Sequence, residues 1–141
     1  MNGRAFLDTN IFVYAIDNAP SIVTKRDRAR ELIREHLEAE SGVVSIQVFQ
    51  EFFAASTSKI SSPLSSEEAL EFIHYISALE TVIPNLDMVL AAIGLHQKHK
   101  FAFWDSMILQ SAVVADCSLL LTEDFQDGFQ LGSLTIKNPF A

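Results

Sequence analysis

The stretch Arg4-Ala5-Phe6-Leu7-Asp8-Thr9-Asn10 decides the fold. Its apolar run is too short for a helix and reads as a strand, Arg4–Leu7, closed at once by Asp8. Asn10–Ile16 reads as a short helix, ended by the break Asp17-Asn18-Ala19-Pro20. A strand that feeds directly into a helix recurs downstream, where Val43–Ser45 leads into a helix from Ile46 to Thr57. Between them, Ser21–Glu40 is charged and amphipathic. Ala29, Leu32, Ile33 and Leu37 form its apolar stripe, and Gly42 is read as its stop.

The same order continues. Lys59–Ser66 is a Ser-rich loop, and the capping box Ser65-Ser66-Glu67-Glu68 opens a helix through Leu79. Thr81–Ile83 is a third strand, stopped by Pro84. Asp87–Lys100 and Trp104–Asp116 are two further helices. Ser118–Leu121 is a fourth strand, followed by the polar stretch Thr122–Gly128, and Leu134–Ile136 is a fifth. Alternating strands and helices indicate an α/β domain whose parallel sheet is covered on both faces. No repeat, linker or low-complexity tract divides residues 1–141, so one domain is expected.

Composition narrows the function. The chain has 141 residues, 49% hydrophobic and 20% charged, with five Gly and four Pro, which suits one packed core and argues against disorder. Its apolar runs are too short and too broken to span a bilayer, and no secretory signal opens it. The lone Cys117 can form no internal disulfide, so a reducing cytoplasm is the expected location. Ten Lys and Arg stand against 18 Asp and Glu, a net charge of −8. A protein gripping phosphates nonspecifically would carry a basic excess. Either nucleic acid is avoided, or bound cations reverse the field locally. Five of the ten bases fall between Lys25 and Arg34, but Asp27, Glu31 and Glu35 are interspersed and favour a solvated helix face over a phosphate grip.

In open parallel sheets, ligands bind beyond the carboxyl ends of the strands. Asp8 follows the first strand and Asp124 the fourth. Glu51 borders the helical stripe of Val48, Phe49, Phe52 and Phe53. Asp105 stands in the first turn of its helix on the face of Leu109 and Ala112. Each alone has a structural explanation: Asp8 as a helix cap, Glu51 as a solvated acid, Asp105 as a dipole partner, Asp124 as a turn residue. Together they gather acid at one edge. Arg4 and Lys100 are the nearest bases in sequence, and neither stands at a pairing position. A divalent cation would relieve the repulsion, and an all-oxygen donor set suits Mg²⁺ or Mn²⁺. No zinc motif, phosphate-cradling Gly-rich loop or Gly-x-Ser-x-Gly elbow occurs.

At four places the chain resembles the PIN-domain proteins, in particular the VapC-like toxins of bacterial and archaeal toxin–antitoxin pairs. The motifs are Phe6-Leu7-Asp8-Thr9-Asn10, Ser45-x-x-Val48-x-x-Glu51-Phe52, Phe103-Trp104-Asp105-Ser106-x-Ile108 and Leu120-Leu121-Thr122-Glu123-Asp124. The resemblance implies a three-layer sandwich around a parallel sheet of about five strands, and Mg²⁺- or Mn²⁺-dependent RNA cleavage. It makes Asp8, Glu51 and Asp105 the central catalytic and metal-binding acids, with Asp124 in a fourth place that Glu123 or Asp127 also contests. Thr9, Asn10, Ser45 and Thr122 would support the site. It further implies a homodimer held silent by an antitoxin protein. An RNA-processing PIN nuclease, a catalytically silent PIN binding module and a small-molecule phosphohydrolase are the competing expectations.

Overall fold

A computed structural model describes residues 3–141. Six strands form one sheet in the order β3-β2-β1-β4-β6-β5: β1 (Ala5–Leu7), β2 (Gly42–Ser45), β3 (Glu80–Val82), β4 (Leu119–Leu121), β5 (Gln130–Leu131) and β6 (Leu134–Lys137). Neighbours pair in parallel except β5 and β6, which form an antiparallel hairpin at one edge. The expected parallel sheet of about five strands is present as β3-β2-β1-β4-β6, and β5 adds a sixth, antiparallel strand at its edge. Two residues of β5 are too few to show any periodicity, and the strand exists only through pairing with β6 across a turn at Gly132, whose φ is 61°.

The helices are α1 (Thr9–Ile16), α2 (Val23–Glu38), α3 (Ile46–Ser56), α4 (Ser66–Ile76), α5 (Leu86–His99) and α6 (Phe103–Val114). They flank the sheet, with α1 packed on α2 and α3, and α5 packed on α6. All residues of β1 and β2 are buried, as a sheet covered on both faces requires. Phe6, Phe12, Phe52, Ile11, Leu109 and Leu120 are among the fully buried core side chains. The capping box forms as expected: Glu68 N–H donates to Ser65 Oγ at 3.1 Å and Ser65 N–H to Glu68 Oε1 at 2.9 Å.

Gly42 is not the stop of α2. That helix ends at Glu38, and the left-handed turn after it falls on Glu40, with φ 54°. Gly42 opens β2, where a Cβ would stand 2.6 Å from Leu79 Cδ2 and 3.0 Å from His36 Cβ. Glycine is there because neighbouring side chains fill the space, not to end a helix. No helix among the described residues is long and apolar enough to cross a membrane.

The register positions the site. Phe6 pairs with Val43, and Leu7 with Leu121. Carried on by one or two residues, these registers set Asp8 beside Ser45 on one side and Thr122 on the other, at the carboxyl edge of the sheet. Asp8 N–H still donates to Leu121 O at 3.1 Å.

Candidate active site

Asp8 caps α1 and faces the site at once. One carboxylate oxygen accepts the Thr9 N–H at 2.7 Å, and the other accepts the Thr122 hydroxyl at 2.8 Å. Only 5% of its surface is exposed. Burial pushes its carboxyl up to about 7. The Thr9 and Thr122 hydrogen bonds oppose that rise, and the negative charges of Asp124 and Glu51 add to it.

Glu51 reaches the same edge from the middle of α3. Ser45 caps that helix, its Oγ accepting Val48 N–H at 3.4 Å, so Ser45 positions the helix and makes no bond to the acids. The Glu51 carboxylate accepts Thr9 Oγ1 at 2.7 Å and Gln47 Nε2 at 3.0 Å. Asp105 is half-buried in the first turn of α6. Burial raises its pKa, the charges of Asp124 and Glu51 raise it further, and nothing around it acts in the other direction. Asp124 is exposed, and its carboxylate accepts Asn10 Nδ2 at 3.0 Å.

Thr122 joins these parts. Its fully buried hydroxyl has one proton, donated to Asp8, so it accepts the Asp124 N–H at 3.1 Å and Asn10 Nδ2 at 3.2 Å. That assignment makes the Asn10 amide a donor on its Nδ2 side and leaves Asn10 Oδ1, a buried oxygen, without a partner. The structure therefore brings Asp8 and Asp105 each within electrostatic reach of Glu51 and Asp124, with Thr9, Asn10 and Thr122 bonded among these acids. No three His, Cys, Asp or Glu side chains among the described residues stand close enough, as arranged, to ligate one ion.

A family model of the PIN domain matches residues 5–129. The chain belongs to the PIN domain family. A search among curated proteins finds no match to its sequence. Among solved structures, it is similar to a toxin–antitoxin complex from Klebsiella pneumoniae, with TM-score 0.66 and 18% identity over 96% of this chain and 97% of that one. It is similar to the VapBC2 complex of Rickettsia felis bound to a promoter DNA fragment, with TM-score 0.68 and 19% identity over 95% and 97%. It is also similar to the sarcin–ricin loop cleaving toxin VapC20 of Mycobacterium tuberculosis, with TM-score 0.62 and 13% identity over 82% and 86%.

Two of the acids contesting the fourth place in this PIN domain are occupied elsewhere. Glu123 accepts the Tyr14 hydroxyl and Lys25 Nζ, the latter at 3.0 Å. Asp127 accepts the Asn138 N–H at 2.7 Å, which ties its loop to the end of β6. The loop bearing Asp124 is also pinned by aromatic packing: Phe101, just before α6, meets Phe125 and Phe129 edge-on with centroids 5.6 and 5.4 Å apart.

Most of the basic run on α2 is likewise consumed internally. Arg26 donates to Asp17 O and Ala19 O, Arg28 pairs with Glu31, and Arg30 donates to Ala15 O. Lys59, after α3, is the basic residue that lines the 540 Å³ cleft of the PIN domain together with Thr9, Asn10, Glu51 and Asp124. Gln47 was not singled out in sequence, although its spacing four residues before Glu51 on one helix face was the available signal. Its amide donates both to Glu51 and to Trp104 O, at 3.1 Å.

Proposed function

We propose that this PIN domain is a Mg²⁺-dependent endoribonuclease, with Mn²⁺ as a substitute, and the toxin of a toxin–antitoxin pair. One observation carries the reading: four carboxylates from four chain segments share an edge, two with raised pKa, and none has a basic side chain bonded to it. The donor set, with the unpartnered Asn10 Oδ1 beside it, fits a hard divalent cation. Asp8, Glu51, Asp105 and Asp124 would hold it, the acids drawing together on binding. Such a cation supplies an acidified water and offsets charge on phosphoryl oxygens.

The chain's own residues do the rest. Asp8 is held by two donors on a rigid strand end and fixes the deepest point of the site. Gln47 and Thr9 aim Glu51, and Asn10 aims Asp124, whose exposure suits it to orient the attacking water. Lys59 meets a phosphate of the bound strand. None of these steps uses the RNA 2′-OH, so single-stranded DNA is a necessary control substrate.

The toxin assignment draws on likeness to toxin–antitoxin complexes across nearly the full length of both chains. On this reading the partners are an antitoxin protein and a second copy of the chain, and the setting is the cytoplasm. Expressing the chain without its partner should arrest growth, Glu51→Gln should not, and the purified protein should cut RNA oligomers with Mg²⁺ but not with EDTA. Cleavage without growth arrest would favour an RNA-processing nuclease.

The looseness of the acid cluster favours one other reading, a catalytically silent binding module. Titration with Mg²⁺ or Mn²⁺, followed calorimetrically, decides between them, since a silent module would take up neither.

A further inference from the structure

Trp104 is the chain's one tryptophan, and it stands directly before Asp105. It is 63% exposed, so the core does not account for it. An indole left in water at the edge of an acid site is held there by specific contacts. Phe103 packs against it edge-on, with centroids 5.1 Å apart and planes at 69°. Its carbonyl accepts the same Gln47 amide that holds Glu51. Its backbone is thereby tied to the Gln47–Glu51 pair and runs directly into Asp105, while Lys59 lines the cleft together with Glu51.

Charge decides what such a ring can do here. With a net charge of −8 and with Lys25, Arg26, Arg28 and Arg30 bonded internally, phosphate contacts contribute little to holding a polyanion. Stacking of a base on an aromatic face needs no positive charge and works for any base. We infer that Trp104 is a stacking platform for an unpaired base next to the scissile phosphate. Bases within a duplex have both faces covered and offer the ring nothing. This inference rests on the ribonuclease reading above.

The single tryptophan makes the test direct. Its emission is followed while an RNA hexamer is added to the whole protein in EDTA, where no cutting occurs, and then the same sequence as a duplex. Saturable quenching by the single strand and none by the duplex is expected. With Mg²⁺, Trp104→Ala should raise KM by roughly 5- to 150-fold, the span of one lost base stack, and change kcat less. Trp104→Phe should recover part of the loss. Cleavage with an unchanged KM in Trp104→Ala, or unquenched emission in a wild type that cuts RNA, would overturn the inference. So would emission that shifts with protein concentration alone, together with a Trp104→Ala variant that loses a dimer, because the ring would then belong to an interface between copies. A wild type that neither cuts RNA nor is quenched sinks the ribonuclease reading and this inference with it. One that is quenched but does not cut sinks the ribonuclease reading and leaves Trp104 a base-stacking platform with no scissile phosphate beside it.

Discussion

Thr122 donates its hydroxyl proton to Asp8 across 2.8 Å, although 114 residues separate them. The same oxygen accepts the Asp124 N–H and the Asn10 amide, so three chain segments hang on one buried atom. Asp8 at the end of β1 and Asp124 in the loop after β4 are held in relation by that atom, not by direct contact with each other.

Thr122→Val keeps the shape and removes the hub. It leaves the Asp124 N–H and one Asp8 oxygen without partners, which should cost about 1–3 kcal/mol of stability. Activity should fall by roughly 10- to 100-fold, the usual cost of losing a group that orients ligands. Thr122→Ser should restore most of both. Urea unfolding and RNA cleavage measure the pair, and a Val variant equal to wild type in both would remove Thr122 from the site.

The raised carboxyl of Asp8 makes the metal-free protein lose stability as pH climbs. Its ordinary value is 3.8 and its folded value about 7. Between those values the folded state keeps a proton that the unfolded state has released, so stability falls with rising pH until about 7 and then levels. His36 acts oppositely, because burial lowers its pKa and unfolding is favoured as pH drops. The difference between wild type and Asp8→Asn in EDTA isolates the Asp8 part. The Asn variant should gain on wild type from pH 4 to 7. Parallel stability curves for the two proteins would contradict the buried, proton-holding Asp8.

Asp124 and Glu123 are neighbours with separate duties. Glu123→Gln removes a partly exposed ion pair with Lys25, which should cost at most about 1 kcal/mol and leave cleavage nearly intact. Asp124→Asn should lower cleavage by more than about 10-fold while barely changing stability. Steady-state cleavage rates and thermal melts distinguish them, and the reverse pattern would hand the fourth place to Glu123.

Asp105 is crowded by like charge without compensation. Asp105→Asn should therefore abolish cleavage yet stabilise the metal-free protein. Because the side chain is only half-buried and solvent screens its neighbours' charges, the gain should be small. Mg²⁺ should raise the melting temperature of wild type more than that of the variant. A variant that melts well below wild type in EDTA would make Asp105 a helix-start acid that serves α6 through its dipole.

Sequence by itself determined the alternation of strands and helices, the capping of α4 by Ser65, and the location of Asp8 and Asp124 just past strand ends. Those are local matters of periodicity, propensity and turn chemistry, written within a few residues. Glu51 and Asp105 stood out by their places on or beside apolar helix stripes, and the resemblance carried by four short motifs gave them their catalytic role, which no local pattern does. What only tertiary structure decided depends on residues far apart in the chain. The pairing of β5 with β6 follows from a hairpin neither strand announces. Gly42 is required by the Leu79 and His36 side chains, not by the helix before it. Glu123 is bonded to Lys25 and Tyr14, and Gln47 links Glu51 to Trp104 because α3 and the start of α6 meet at one edge. Composition shows how many charges a chain has. Which of them remain to face a ligand is settled by the partners that folding assigns to the others.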